Sequence, residues 1–184
     1  AFHKQCGGCQ IQALSYEKQL EYKKKKVLNN LARIGGLSDL PEFDLIGMDE
    51  PYCYRNKAQF PFGTDKNGET VTGFYAGRTH SIISNTKCHL GVEENEQILE
   101  IILAHLKKYN IPAYDEQTGK GLLRHVLIRK GFTTKEIMVC LILNGTRMPE
   151  VKELVAELVK IPGMTSITIN VNTKQTNEIM GQEM

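Results

Sequence analysis

The chain has 184 residues, 41% of them apolar and 24% charged, with a formal net charge of +2. That length holds one domain, or one domain with an appendage. A balance so close to neutral is no argument for nucleic acid by itself, so any basic surface must come from local clustering; no apolar run approaches the roughly 18 residues of a membrane span. The five cysteines, Cys6, Cys9, Cys53, Cys88 and Cys140, are odd in number and no secretory signal accompanies them, which argues against a disulfide framework. The chain opens at Ala1 with neither Met nor signal pattern, and so reads as a piece of something larger.

Residues 1–13 form a loop rich in Gly and Cys. Ser15 is a helix N-cap, and the helix runs to about Ile34: Tyr16, Leu20, Val27, Leu31 and Ile34 recur at steps that share one helical face. Gly35-Gly36 ends it. Lys23 to Lys26 cannot all share a face, and Lys24 falls beside the apolar stripe, where it must snorkel. The run is a solvated helix surface or, as the functional alternative, an RNA phosphate contact.

Beyond Gly36 the pattern is that of a sheet. Tyr54–Phe62 alternates: Tyr54, Asn56, Ala58, Phe60 and Phe62 lie on one face, and Arg55, Lys57, Gln59 and Pro61 on the other. Pro61 suggests an edge or a strand end. Asp65-Lys66-Asn67-Gly68 is a hairpin turn, leading to strands near Thr70–Ala76 and Ser81–Ser84. A helix over about Val92–Tyr109 has Glu93, Glu94 and Glu96 at its start and Lys107 and Lys108 at its end, as the helix dipole favours. Leu122–Arg129 and Glu136–Leu143 are a strand pair. A helix over about Pro149–Lys160 and a strand over Thr165–Asn172 close the chain. The order α-βββ-α-ββ-α-β with short turns predicts an α+β fold: a mostly antiparallel sheet with three helices, and the N-terminal cysteine loop and helix packed on it. The expected division is 1–36, the cysteine loop and first helix, and 37–184, the α+β domain.

Cys6-Gly-Gly-Cys9 can turn both sulfurs toward one centre. It fits zinc, an iron–sulfur cluster or a redox dithiol. No strand precedes it, which disfavours a thioredoxin-like motif, and the second CxxC of a zinc ribbon is absent. Cys88 is the other exposed-looking candidate, and His3 or His89 could complete a zinc site; equally, Cys88 could be an unliganded loop cysteine. Cys140 lies in the apolar run Ile137–Leu143 and is expected to be a buried core thiol. Cys53 is given no role.

The segments Cys6-Gly-Gly-Cys-Gln10, Leu31-Ala32-Arg33-Ile34-Gly35-Gly36, Tyr54-Arg55-Asn56-Lys57-Ala58-Gln59-Phe60-Pro61, Gly73-Phe74-Tyr75, Arg78-Thr79-His80, Leu123-Arg124-His125 and Ile179-Met180-Gly181 resemble the RNA uracil-5 methyltransferases. More closely, they resemble the branch that modifies bacterial large-subunit ribosomal RNA. The resemblance spans nearly the whole chain. It implies that Cys6, Cys9 and Cys88 are ligands of a 4Fe–4S cluster. The first of four ligands would fall immediately before Ala1, so the cluster is expected to be lost or incomplete in this chain.

The resemblance further implies that catalysis lies in a C-terminal domain that binds S-adenosylmethionine, where a cysteine adds to C6 of an extruded uracil and C5 takes the methyl group. This chain shows no Gly-rich loop of the S-adenosylmethionine type. It is expected to be the central domain, with no catalytic residue, no S-adenosylmethionine site and no methylation activity of its own, and without the family's N-terminal barrel. Its implied contribution is to hold ribosomal RNA through phosphates, with Arg55, Lys57, Gln59, Arg78 and Lys87 as contact candidates; ordinary solvated strand residues are the plain alternative for Arg55 and Lys57. Arg124 and His125, in a mostly apolar strand, are expected to be structural. A cytoplasmic monomer is implied. The alternatives are a non-catalytic RNA-binding or zinc-binding module and, more weakly, a small electron carrier.

Overall fold

The computed structural model describes residues 4–37 and 39–183. Its elements are α1 (Tyr16–Arg33), β1 (Lys57–Thr64), β2 (Thr70–Tyr75), β3 (Ile82–Ser84), α2 (Glu94–Lys108), β4 (Leu123–Lys130), β5 (Ile137–Leu143), α3 (Val151–Leu158) and β6 (Met164–Val171). The fold is α+β. Contacts divide the chain into two compact units, one built on Cys9–Pro51 and the other on Gln5–Gly8 with Tyr52–Met184. No helix among the described residues is long and apolar enough to cross a membrane.

In the first unit the Ser15 hydroxyl accepts from the Lys18 N–H at 3.4 Å and so caps α1. The Met48 N–H donates to the Tyr16 hydroxyl at 2.6 Å, tying the segment after the helix back to its first turn. Lys24 lies with its ammonium 5.2 Å from the Phe43 ring centre. This is the snorkelled arrangement its place beside the apolar stripe requires.

The second unit is a six-stranded sheet in the order β3-β2-β1-β4-β5-β6. All neighbours are antiparallel except β5 and β6, which run parallel. The exception follows from α3, which carries the chain back across the sheet between them, as a parallel pair requires. One sheet face is apolar: Ala58, Phe60 and Phe62 of β1, Val126 and Ile128 of β4, and Val139, Leu141 and Leu143 of β5. It packs with Ile98, Leu99, Ile102 and Leu106 of α2 and Leu154 and Leu158 of α3. Each of these side chains larger than alanine contributes about 1.5–3 kcal/mol when fully buried. Lys108 and Glu153 join the two helices at 2.6 Å.

The opposite face carries a smaller cluster of Leu127, Cys140 and Ile142, with Ile179 packed against it. Cys140 is buried, as expected of a core thiol. Two buried asparagines hold the last residues of the chain. The Asn170 amide donates to the Gly181 and Glu183 carbonyls at 3.0 and 2.7 Å, and that of Asn172 to the Glu178 and Ile179 carbonyls at 2.8 and 3.1 Å. A Cβ on Gly181 would stand 1.8 Å from the Val171 carbonyl oxygen, so only glycine fits there.

Two sequence expectations change. The strand expected at Tyr54 begins at Lys57, because the preceding residues pair elsewhere: the Cys53 and Arg55 N–H groups donate to the His89 and Leu90 carbonyls at 2.9 and 2.8 Å. Pro61 marks no edge, since β1 is an inner strand. It is the last β1 residue registered with β4, and the β1–β2 ladder starts at Phe62. A residue without an N–H is tolerated at that junction, where its carbonyl instead accepts from the Thr72 hydroxyl at 2.9 Å.

Candidate functional site

Alternation along β1 sends Lys57, Gln59 and Pro61 to the face opposite the main core, and the register shows what stands beside them. Lys57 is directly opposite Arg129, and Gln59 opposite Leu127. Arg129 continues to Met138 and Leu127 to Cys140, and these to Ser166 and Thr168 of β6. Lys57 and Arg129 are both exposed. None of the ion pairs among the described residues involves Arg55, Lys57, Arg78 or Arg129. Like charges directly opposite on a sheet are destabilising, so this uncompensated pair is a place where an external anion is favoured. In the neighbouring row, at the far edge of the sheet on β6, the Thr168 hydroxyl is buried without a hydrogen-bond partner.

The remaining contact candidates lie apart from this stripe. Arg55 is half-buried ahead of β1, bridged to Gly91. Lys87 is exposed but pairs with Glu96 at 3.5 Å, which offsets its charge. Arg78 sits in the loop between β2 and β3 with φ of 66°, a left-handed conformation that is uncommon outside glycine.

That loop borders a second polar cluster. The Tyr75 and His80 rings stack with centres 5.0 Å apart at 23°. Glu116 joins both: its Oε1 accepts from the Tyr75 hydroxyl at 3.1 Å and its Oε2 from His80 Nδ1 at 2.6 Å, which fixes the proton on that nitrogen. Burial would raise the Glu116 carboxyl, but the bonds from His80 and Tyr75 outweigh it and hold the group below the usual carboxylate range. Burial first, then the Glu116 charge, pushes the Tyr75 hydroxyl up. Next along β4 lie Arg124 and His125, both buried. Arg124 donates from one terminal nitrogen to the Asn172 and Lys174 carbonyls at 2.7 Å each, and its guanidinium lies 4.3 Å from the Tyr114 ring centre. Burial, then the neighbouring Arg124 charge, lowers the His125 pKa to about 4. Both residues are structural in this sense, as expected.

The Cys6–Gly8 segment runs beside β2. Cys6 is bridged to Ala76, and the Gly7 N–H donates to the Tyr75 carbonyl at 2.9 Å. Cys6, Cys9 and Cys88 are half-buried. Cys88 lies in a turn closed by the Gly91 N–H on its carbonyl at 3.1 Å. Among the described residues no three His, Cys, Asp or Glu side chains are grouped so as to hold a metal ion. The 4Fe–4S ligand set of Cys6, Cys9 and Cys88, and a zinc site with His89, stay expectations of the sequence; His3 lies outside the described residues.

Sequence reasoning missed Arg129, Glu116 and Tyr75 as site residues. Arg129 could have been found from β4 alternation, which places it on the face of His125 and Leu127. Nothing in the sequence joins Glu116 to His80, 36 residues earlier.

No family model matches the chain. It is 44% identical over 182 residues to a Bacillus cereus protein named "Uncharacterized RNA methyltransferase", covering 98% of this chain and 40% of that protein. A Clostridium acetobutylicum protein so named is 44% identical over 185 residues, covering 99% and 40%. One from Staphylococcus aureus is 37% identical over 183 residues, covering 99% and 40%. The chain thus spans about two fifths of the length of these relatives. The crystal structure of Pyrococcus abyssi tRNA (uracil-54, C5)-methyltransferase, in complex with S-adenosyl-L-homocysteine, shares the fold with a TM-score of 0.72 at 23% identity, over 97% of this chain and 39% of that one.

Proposed function

We propose that this chain, whose matches fit the RNA uracil-5-methyltransferase family, is the central segment of an S-adenosylmethionine-dependent enzyme that methylates C5 of uridine in ribosomal RNA. In this reading residues 37–184 are the central domain and residues 1–36 its cysteine loop and first helix. The observation that carries the reading is the 44% identity over 98% of the chain to proteins named RNA methyltransferases. The methyl group would come from S-adenosylmethionine bound by another part of the longer protein, and no residue of this chain is assigned to its transfer.

The part played here is positioning. Lys57 and Arg129, unpaired with any acid among the described ion pairs, would each take a backbone phosphate, with Gln59 beside them as a neutral donor; Arg55 and Arg78 add charge on the approaches. Lys87, held by Glu96, contributes less. Phosphate contacts fix register and orientation without reading sequence, which suits a segment that delivers RNA to a remote active site. The protein is read as a cytoplasmic monomer.

The test is binding of a ribosomal RNA fragment as a function of salt. The chain should bind weakly, with log K falling linearly against log salt by roughly 0.7–0.9 per phosphate held. Binding that ignores salt would sink the phosphate reading. A full-length relative that methylates transfer RNA but no ribosomal RNA would redirect the substrate.

A further inference from the structure

We propose that the stacked Tyr75–His80 pair, clamped by Glu116, is a site for one unpaired RNA base, with Arg78 taking an adjoining phosphate. The inference rests on the reading that the chain meets RNA, but on a different part of the surface from the Lys57–Arg129 stripe.

Three chain segments converge to build it: Tyr75 from the end of β2, His80 from the loop before β3, and Glu116 from the loop that precedes β4. Both carboxylate oxygens are used, one on each ring, so neither ring can swing without losing its partner. Yet the His80 side chain is 65% exposed. Exposed contacts of this kind contribute little to stability. What the clamp does achieve is a flat ring held still, backed by a second ring on one side and open to solvent on the other. Unpaired bases are taken up on such faces, because every base has a π-face and the ring needs no further ordering.

The charge pattern favours a base over a phosphate at the rings themselves. Glu116 stays ionised beside them and repels an anion. The positive charge is displaced to Arg78, which is exposed and unpaired among the described ion pairs. Arg78 adopts a left-handed backbone, a conformation that costs a non-glycine residue free energy and concentrates at ligand clamps. It also lines a recess of about 340 Å³ with Gly7, Gly8, Tyr75 and Gly77, at the lower end of the roughly 300–1,000 Å³ of small-molecule pockets. The wall is low where glycine approaches the strand: a Cβ on Gly7 would stand 3.1 Å from the Tyr75 carbonyl oxygen.

The experiment compares hexauridylate with the same ribose-phosphate hexamer lacking bases, at low salt, on the whole chain and on His80→Ala, His80→Phe and Lys57→Ala/Arg129→Ala. The parent should prefer the hexamer with bases by about tenfold, in the range of one stacked base. His80→Ala should lose that preference with no change in salt slope, and His80→Phe should keep it within about twofold. The double variant should lower the slope but keep the preference. Equal binding of the two hexamers by the parent, or an unchanged preference in His80→Ala, overturns the base site and leaves the phosphate reading standing. If the parent binds neither hexamer, the RNA reading fails and the base site with it.

Discussion

Arg124 puts a guanidinium where a strand residue would ordinarily be apolar, and its partners explain why it stays. It supplies hydrogen bonds to two carbonyls that follow β6, at Asn172 and Lys174, while its plane lies against Tyr114. Arg124→Met should leave the buried Asn172 carbonyl without its donor and cost about 2–4 kcal/mol, since bonds to charged donors are worth roughly 1.5–3 kcal/mol each and orphaned carbonyls add to the loss. Urea unfolding at pH 7 measures this; a variant as stable as the parent would show that the arginine is replaceable packing. His125 sets a pH dependence. Its folded pKa of about 4 lies below the ordinary value of 6.5, so the unfolded chain binds the extra proton. The stabilisation is complete above pH 6.5 and is lost as pH falls toward 4, up to about 3 kcal/mol at 1.36 kcal/mol per unit. Urea midpoints at pH 7.5 and 5 check it, with His125→Asn flattening the difference. Equal parental midpoints would contradict the buried neutral ring. The sequence marked Arg124 and His125 as structural because apolar residues surround them. It could not show which carbonyls Arg124 serves, because those lie on a segment about 50 residues away.

At the scale of elements, period and length made the helices and most strands legible, since a helical stripe and a strand alternation are local properties. Register is not local. Lys57 was readable as a polar-face residue of β1, but its juxtaposition to Arg129 depends on which residue of β4 it meets. For the same reason the parallel β5–β6 pair escaped a reading based on short turns, although α3 between them is the crossover that makes it possible. Lys57→Ala/Arg129→Ala should lower the salt slope of RNA binding by about 1 to 2. Stability should hold within about 0.5 kcal/mol or rise slightly, because the substitution removes a like-charge pair. If RNA binding is unchanged at every salt concentration, the stripe is only a solvated face and the lysine run Lys23–Lys26 on α1 becomes the candidate.

At the scale of the whole molecule, the resemblance carried further than composition could. A net charge of +2 indicates no partner, whereas a handful of short motifs spread along the chain led to relatives matched over nearly all of it. CxxC gives spacing along the chain, but a ligand set needs side chains gathered in space, and no metal-holding group of three forms among the described residues. The expectation of an incomplete cluster predicts substoichiometric iron and no stoichiometric zinc in the anaerobically purified chain. A full cubane's worth of iron by elemental analysis would mean that Cys6, Cys9 and Cys88 close on a metal when it is supplied.

The chain spans about two fifths of its relatives, and its second unit is a sheet packed on two helices. Methyl transfer needs more: a pocket that buries most of the cofactor with a few placed polar groups, and a nucleophile activated by a base or a lowered pKa. Of the thiols, Cys140 is packed into the sheet, and Cys53 is half-buried with its N–H bonded to the His89 carbonyl. Calorimetric titration of the chain with S-adenosylmethionine should give no heat of specific binding, and RNA incubated with both should acquire no methyl group. Clear micromolar binding would move the boundary of the cofactor domain into this chain. Methyl transfer by the chain alone would require one of its five cysteines to be the nucleophile, which single Cys→Ser variants would then identify.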